Sequence, residues 1–203
     1  MTQPQTLKRF ENNKFTIWLG KMVYKMIGWR VEGSVPESAP KSVMIVAHHT
    51  SNWDFPLGLF AAFVLQIKPF WIGKHTLFHW PLGRLMRWLG GIPIDRRTSR
   101  DFVNHTIQLF KAHQKLMIVI TPEGTRKRRD QWKSGFYHIA NGASVPIICA
   151  FIDYKRKITG IGPTIIPSGE IQADMQKIRA FYQTITAKKP ENVGEMVFRS
   201  KKQ

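Results

Sequence analysis

The hydrophobic positions change their period along the chain. In "KFTIWLGKMVYKMIGW", Phe15, Trp18, Leu19, Met22, Val23 and Met26 recur at helical spacing, while Lys14, Lys21 and Lys25 occupy another face. This predicts an amphipathic helix with a basic side. "KSVMIVA" then reads as a buried strand, and "DFPLGLFAAFVLQ" as a helix with Pro56 in its first turn. A second strand, "PFWIG", leads to "PLGRLMRWLGG", where Leu82, Leu85, Met86 and Leu89 form an apolar stripe and Gly90 with Gly91 supply a stop. "IPID" is a short third strand. A helix from about Asp101 to His113 follows, with Val103, Ile107 and Phe110 on one face and Thr98 or Ser99 as its cap. "KLMIVIT" is the fourth strand, "GFYHIANG" a short helix ended by Gly142, and "VPIICAFIDY" the fifth strand. "KRKITGIGPTI" turns into an antiparallel return, and "ADMQKIRAFYQTI" is a final helix before a basic tail.

Strand and helix alternate without an internal repeat, which predicts a single α/β domain: a mostly parallel central sheet flanked by helices, preceded by the amphipathic helix. The helix belongs to residues 1–30 and the domain to residues 31–203. Right-handed crossovers bring the C-terminal ends of parallel strands to one edge of the sheet. The polar segments that follow strands, "HHTSNWD", "IDRR" and "TPEGTRKRRD", should therefore meet there.

Composition narrows the setting. With 203 residues, 43% hydrophobic and 22% charged, the chain is long enough for one domain with a sizeable core. Lys and Arg number 31 against 13 acidic residues, and the formal net charge of +18 implies anionic partners. The single cysteine, Cys149, lies in an apolar run and reads as core. No signal peptide is expected from the polar start "MTQPQTLKRFENNK", and the longest apolar stretch, "GLFAAFVLQI", is too short to span a bilayer.

The chemistry concentrates after the first buried strand. His49 and Asp54 are separated by four residues, so a strand-to-helix turn can fold the carboxylate back toward the ring. An aspartate that accepts a hydrogen bond from one ring nitrogen fixes the tautomer and leaves the other nitrogen free to take a proton from a hydroxyl. Two blander readings compete: Asp54 as a helix cap before Pro56, and a metal set of His48, His49 and Asp54. The latter is disfavoured because adjacent residues on a strand point to opposite faces.

Taken together, "HTSNWD", "GGIPIDRR", "TPEGTR" and "VPI" resemble, in this order, the four motif blocks of the glycerolipid acyltransferase family, over residues 43 to 150. The family's His-x4-Asp block selects His49 with Asp54 and leaves His48 outside. Its Glu-Gly-Thr-Arg block matches Glu123, Gly124, Thr125 and Arg126. The resemblance implies acyl transfer from a thioester to a hydroxyl, with His49 as general base oriented by Asp54. It also implies a phosphorylated acceptor, for which Arg96, Arg97 and Arg126 offer planar donors and Lys74 a further cation. Glu123 either meets an acceptor hydroxyl or braces Arg126, and Gly124 would let a backbone amide approach an oxyanion.

The expected reaction moves an acyl group from acyl-CoA or acyl carrier protein to a lysophospholipid or glycerol-phosphate-like acceptor, with no cofactor and no metal. The expected setting is peripheral, on the cytoplasmic face of a membrane, with anionic lipids as partners and the amphipathic helix lying in the interface. The contrasting expectation is a non-catalytic basic module on anionic membrane or nucleic acid. It accounts for the charge but not for "HTSNWD" or "EGTR", and no nucleic-acid motif is present, so nucleic acid is not an expected partner.

Overall fold

The structure is a computed structural model that describes residue 9, residues 11–94 and residues 99–198, of which 94, 99 and 100 are described in backbone only. Arg96, Arg97 and Thr98 lie outside the described residues, as does the side chain of Ser99, so neither proposed cap of the following helix can be placed.

The chain forms α1 (Lys14–Ile27), β1 (Arg30–Glu32), β2 (Lys41–Ala47), α2 (Asp54–Val64) and β3 (Phe70–Lys74). A 3-10 turn at His75–Phe78, α3 (Gly83–Trp88), β4 (Gly91–Ile94), α4 (Ser99–Ala112) and β5 (Leu116–Ile120) follow. α5 (Gly135–Ala143), β6 (Ile147–Asp153), β7 (Ile158–Ile165) and α6 (Ile171–Tyr182) complete it. Among the described residues the strands form one sheet in the order β1-β7-β6-β2-β5-β3-β4. Every neighbouring pair is parallel except β6 with β7. The fold is therefore the expected mostly parallel α/β sheet. β1 is an addition that the pattern of "RVE" did not announce, because it is three residues long with only its middle residue half-buried.

The strands alternate faces. Val43, Ile45 and Ala47 of β2 join Phe110 of α4, Phe136 and Ile139 of α5, and Ile178 and Tyr182 of α6 in one continuous core. Met44 of β2 and Ile148 and Ala150 of β6 face the other side. There α2 packs through Leu57 and Ala61 on Ile152 and Tyr24, and through Leu59 and Phe63 on Met86 and Leu89. α2 thus lies between α1 and the α3 segment on one side of the sheet.

α1 starts in a capping box. Asn13 accepts the Thr16 N–H at 2.9 Å, and the Asn13 N–H donates to Thr16 Oγ1 at 3.0 Å. The helix buries Gly20 and Tyr24, and the Tyr24 hydroxyl donates to the Leu57 carbonyl at 2.9 Å. Of its expected apolar stripe, Leu19, Met22 and Val23 are half-buried, whereas Phe15, Trp18 and Met26 remain exposed. One correction concerns α5. It runs through Gly142 and stops at Ser144, whose φ of 52° is left-handed. Gly142 instead sits at the contact with α4: a Cβ there would come within 2.7 Å of the end of the Ile107 side chain, which would have to shift. No helix among the described residues is long and apolar enough to cross a membrane.

Candidate active site

β2 ends at Ala47, and the chain turns through residues 48–53 into α2, whose first residue is Asp54. The turn is built around that carboxylate. Asp54 Oδ2 accepts the backbone N–H of Thr50 at 2.9 Å and of Ser51 at 2.8 Å, and lies 3.0 Å from His49 Nδ1. Tyr154, just past the end of β6, donates its hydroxyl to Asp54 Oδ1 at 2.7 Å. Burial pushes the Asp54 carboxyl up, but the hydrogen bonds from His49, Tyr154 and the Ser51 amide outweigh it and hold the group below its ordinary value. Asp54 is therefore an anion at neutral pH and an acceptor. Facing that acceptor, the neutral tautomer of His49 has its proton on Nδ1 and its lone pair on Nε2.

His48 diverges from this arrangement. The residue is 4% exposed and its Nε2 donates to the Tyr182 carbonyl at 3.1 Å, on the densely packed side, and burial lowers its pKa. The two adjacent histidines thus serve different neighbours and do not form a common ligand set with Asp54.

The segment after β5 lies beside the turn because β5 pairs with β2 in parallel. Glu123 Oε1 accepts the His49 N–H at 3.2 Å, while its Oε2 is enclosed without a hydrogen-bond partner. Burial raises this carboxyl to about 7. The brace between Glu123 and Arg126 is not formed: the acid turns inward to the His49 backbone, whereas the Arg126 side chain is exposed. Gly124 has φ +64°, which a side chain would strain, and its N–H donates to the Thr121 carbonyl at 3.0 Å. That amide is committed to the turn and is not a free oxyanion donor.

A cavity of about 740 Å³ lies between α2 and the sheet face that carries Met44 and Val46. His49, Asp54, Lys74, Gly124, Thr125 and Arg126 line it. Away from these, its walls are Val46, Leu59, Ile72, Val119 and Ile161. The volume falls in the ~300–1,000 Å³ range of small-molecule pockets. The structure thus brings together His49, Asp54, Glu123, Gly124, Thr125, Arg126 and Lys74, while Arg96 and Arg97 follow β4 outside the described residues.

A family model described as Acyltransferase matches residues 30–153, more than half of the chain. The chain belongs to the acyltransferase family. The matched range contains every motif block, both members of the His49–Asp54 pair and strands β1 to β6. Among solved structures, the acyltransferase is similar to the 1-acyl-sn-glycerophosphate (LPA) acyltransferase PlsC from Thermotoga maritima. The TM-score is 0.57 at 19% sequence identity, over 85% of this chain and 78% of that one. At this identity the likeness is one of fold. No curated protein matches by sequence.

Three residues of this acyltransferase were not anticipated. Tyr154 completes the environment of Asp54, and its position after a parallel strand, on the same edge as the motif blocks, was the available signal. Lys188 places its ammonium 5.1 Å from the Trp53 ring centre and 5.7 Å from that of Tyr154, and the Lys189 N–H donates to Thr50 Oγ1 at 3.2 Å. Both lysines come from the segment after α6, which folds back over the turn, and nothing in "AKKP" signals that contact. Cys149 is a fully buried core residue whose thiol is pushed up to about 12 by burial, which makes it a poor nucleophile at neutral pH.

Proposed function

We propose that the enzyme transfers an acyl group from acyl-CoA or acyl carrier protein to the free hydroxyl of a lysophospholipid or glycerol-phosphate-like acceptor. The observation that carries this reading is a hydrogen-bonded His49–Asp54 pair opening onto a largely apolar pocket that also holds Lys74, Thr125 and Arg126. An acyl chain suits the apolar walls, and a phosphate suits the basic end. The acceptor named for the Thermotoga maritima structure is of this kind and supports the choice.

In the reaction, His49 Nε2 takes the proton of the acceptor hydroxyl as the oxygen bonds to the thioester carbonyl carbon. The negative charge moves to the carbonyl oxygen. When the C–S bond breaks, the carbonyl re-forms, and the proton held by His49 passes to the departing thiolate. The products are an ester and a free thiol, and no acyl-enzyme is needed. Asp54 keeps the ring in the right tautomer and stabilises the imidazolium. Glu123 holds the His49 backbone, and Arg126, Lys74, Arg96 and Arg97 bind the acceptor phosphate.

A lysophospholipid acceptor, and the acylated product in either case, resides in a bilayer, so the reading sets the enzyme at a membrane surface, on the cytoplasmic face. The exposed Phe15, Trp18 and Met26 of α1, with Lys14, Lys21 and Lys25, fit an interfacial helix against anionic lipids. The deciding experiment incubates the purified chain with acyl-CoA and acyl carrier protein donors against a panel of lysolipids and follows products by mass spectrometry. An acylated, phosphate-bearing lipid is the expected product. Free fatty acid alone would point to thioester hydrolysis, and no turnover with any donor would overturn the reading.

A further inference from the structure

From Phe55 to Ile94 the chain contains no Asp or Glu, yet it carries Lys68, Lys74, Arg84 and Arg87. Within this stretch the segment from the 3-10 turn through α3 is held firmly from beneath. Phe78 is 5% exposed and stacks on Trp71, the Arg87 guanidinium donates to the Phe78 carbonyl at 3.2 Å, and Leu89 is buried against Phe63. Its outer side is the reverse of what a soluble surface favours. Trp80 is 94% exposed, and Leu77, Leu82, Leu85 and Trp88 are each exposed by 44% to 57%.

The apolar stripe of Leu82, Leu85, Met86 and Leu89 is therefore split: Leu82 and Leu85 are exposed, and Met86 and Leu89 reach the α2 side. A concentration of large apolar side chains on an anchored segment marks an interaction site. Lys74, Thr76, Leu77 and Met86 also line the pocket that holds His49 and Asp54. The patch is thus the rim of the pocket, not a remote surface.

We infer that residues 75–88 form a bilayer-docking element, separate from α1, which seats the pocket mouth on an anionic lipid surface. Tryptophan and leucine enter the interface, where an amphipathic ring has both an apolar and a wet side, and Arg84 with Lys74 meets acidic headgroups. The occupant is a membrane and not a second copy of this chain, because apposing two such acid-free faces, on molecules of net charge +18, is opposed by repulsion. The inference builds on the acyl-transfer reading in one respect: docking here lets a lipid acceptor pass from the bilayer into the pocket without crossing water.

The test uses the full chain and vesicles of phosphatidylcholine with or without phosphatidylglycerol. Trp80→Ser combined with Leu82→Ser and Leu85→Ser should lower partition onto the mixed vesicles by at least about ten-fold, since each large apolar side chain withdrawn from water contributes comparably when buried. The melting temperature should hold, because all three side chains are exposed. Trp80→Ser alone, at the most exposed position, should reduce binding in the same direction if the triple variant folds poorly. Arg84→Glu should weaken binding only where phosphatidylglycerol is present. Wild-type vesicle binding by the Trp80 and triple variants overturns the proposal, and if Phe15→Ser with Trp18→Ser then abolishes binding, the docking surface belongs to α1 alone. A short-chain, water-dispersed lysolipid separates the two readings. Wild-type turnover by the triple variant on this acceptor shows that docking and not chemistry was removed. Absence of turnover in the wild type defeats the acyl-transfer reading while vesicle sedimentation still reports on the surface.

Discussion

The two faces of the central sheet are built to different standards. On one, Val43, Ile45 and Ala47 meet α4, α5 and α6 in a single continuous core, with Phe110, Phe136, Ile139 and Tyr182 almost wholly removed from water. On the other, Met44 and Val46 look across about 740 Å³ of space toward α2, and the buried residues divide into three smaller clusters around it. The same strands serve both, since alternate residues of β2 belong to opposite faces. The difference teaches a division of labour: the dense face fixes where the strands end, and the hollow face uses that fixed edge to present His49 and Asp54 to a ligand.

If this division is right, changes on the hollow side should strike turnover, and changes on the dense side should strike stability. The largest effect is expected for His49→Ala, which removes the base and should lower kcat/KM by about 10²- to 10⁴-fold with an unaltered melting temperature. Near-normal turnover in a thioester assay would remove His49 from its role. Phe136→Ala, on the dense face, should cost about 3–5 kcal/mol in urea unfolding while leaving kcat per folded molecule intact.

Tyr154→Phe probes the hollow side without removing a reacting group. It deletes a hydrogen bond to a carboxylate worth about 1.5–3 kcal/mol, and should lower kcat about ten-fold or more with KM little changed. An equal change in KM and an unchanged kcat would assign Tyr154 to binding instead.

Glu123 sharpens the comparison through pH. Its carboxyl is raised from 4.5 to about 7 in the folded chain, so the stability it contributes is fully present below 4.5 and is lost as pH rises through 7. Glu123→Gln should therefore flatten a decline on the order of 3 kcal/mol in unfolding free energy across that window. A decline that persists in the variant would place the titrating group elsewhere. The smallest effect is expected for Leu59→Ala, which enlarges a space that is already open. It should cost less than about 1.5 kcal/mol and shift the preferred acyl chain toward longer or bulkier ones, read by competition between donors.

Much of this arrangement could be read from the residues in order. β2 and β6 are almost wholly buried, and β5 is buried on one face and half-buried on the other, so all three appear as unbroken apolar runs bounded by polar turns. The His49–Asp54 pair is readable because it is local: a strand, a tight turn and a helix start within six residues leave the carboxylate little choice of neighbour. β1 escaped notice because its three residues carry no period, and the end of α5 was misplaced because Gly142 lies within the helix, at the contact with α4, instead of ending it. The inward turn of Glu123 was equally hidden, since its choice between Arg126 and the His49 amide depends on how deeply the loop after β5 sits.

By itself, then, the sequence determined the alternation of strands and helices, the parallel sheet, the edge at which the motifs meet and the pairing of His49 with Asp54. Each follows from steric period or from contacts a few residues apart. Only the tertiary structure decided that Tyr154, one hundred residues from Asp54, donates to it, that Lys188 lies over Trp53, and that the Leu82 and Leu85 side of α3 faces outward. The cavity belongs to the same class. It is the volume left between α2 and the sheet when side chains from several distant elements have found their places, and such a remainder has no local pattern to announce it.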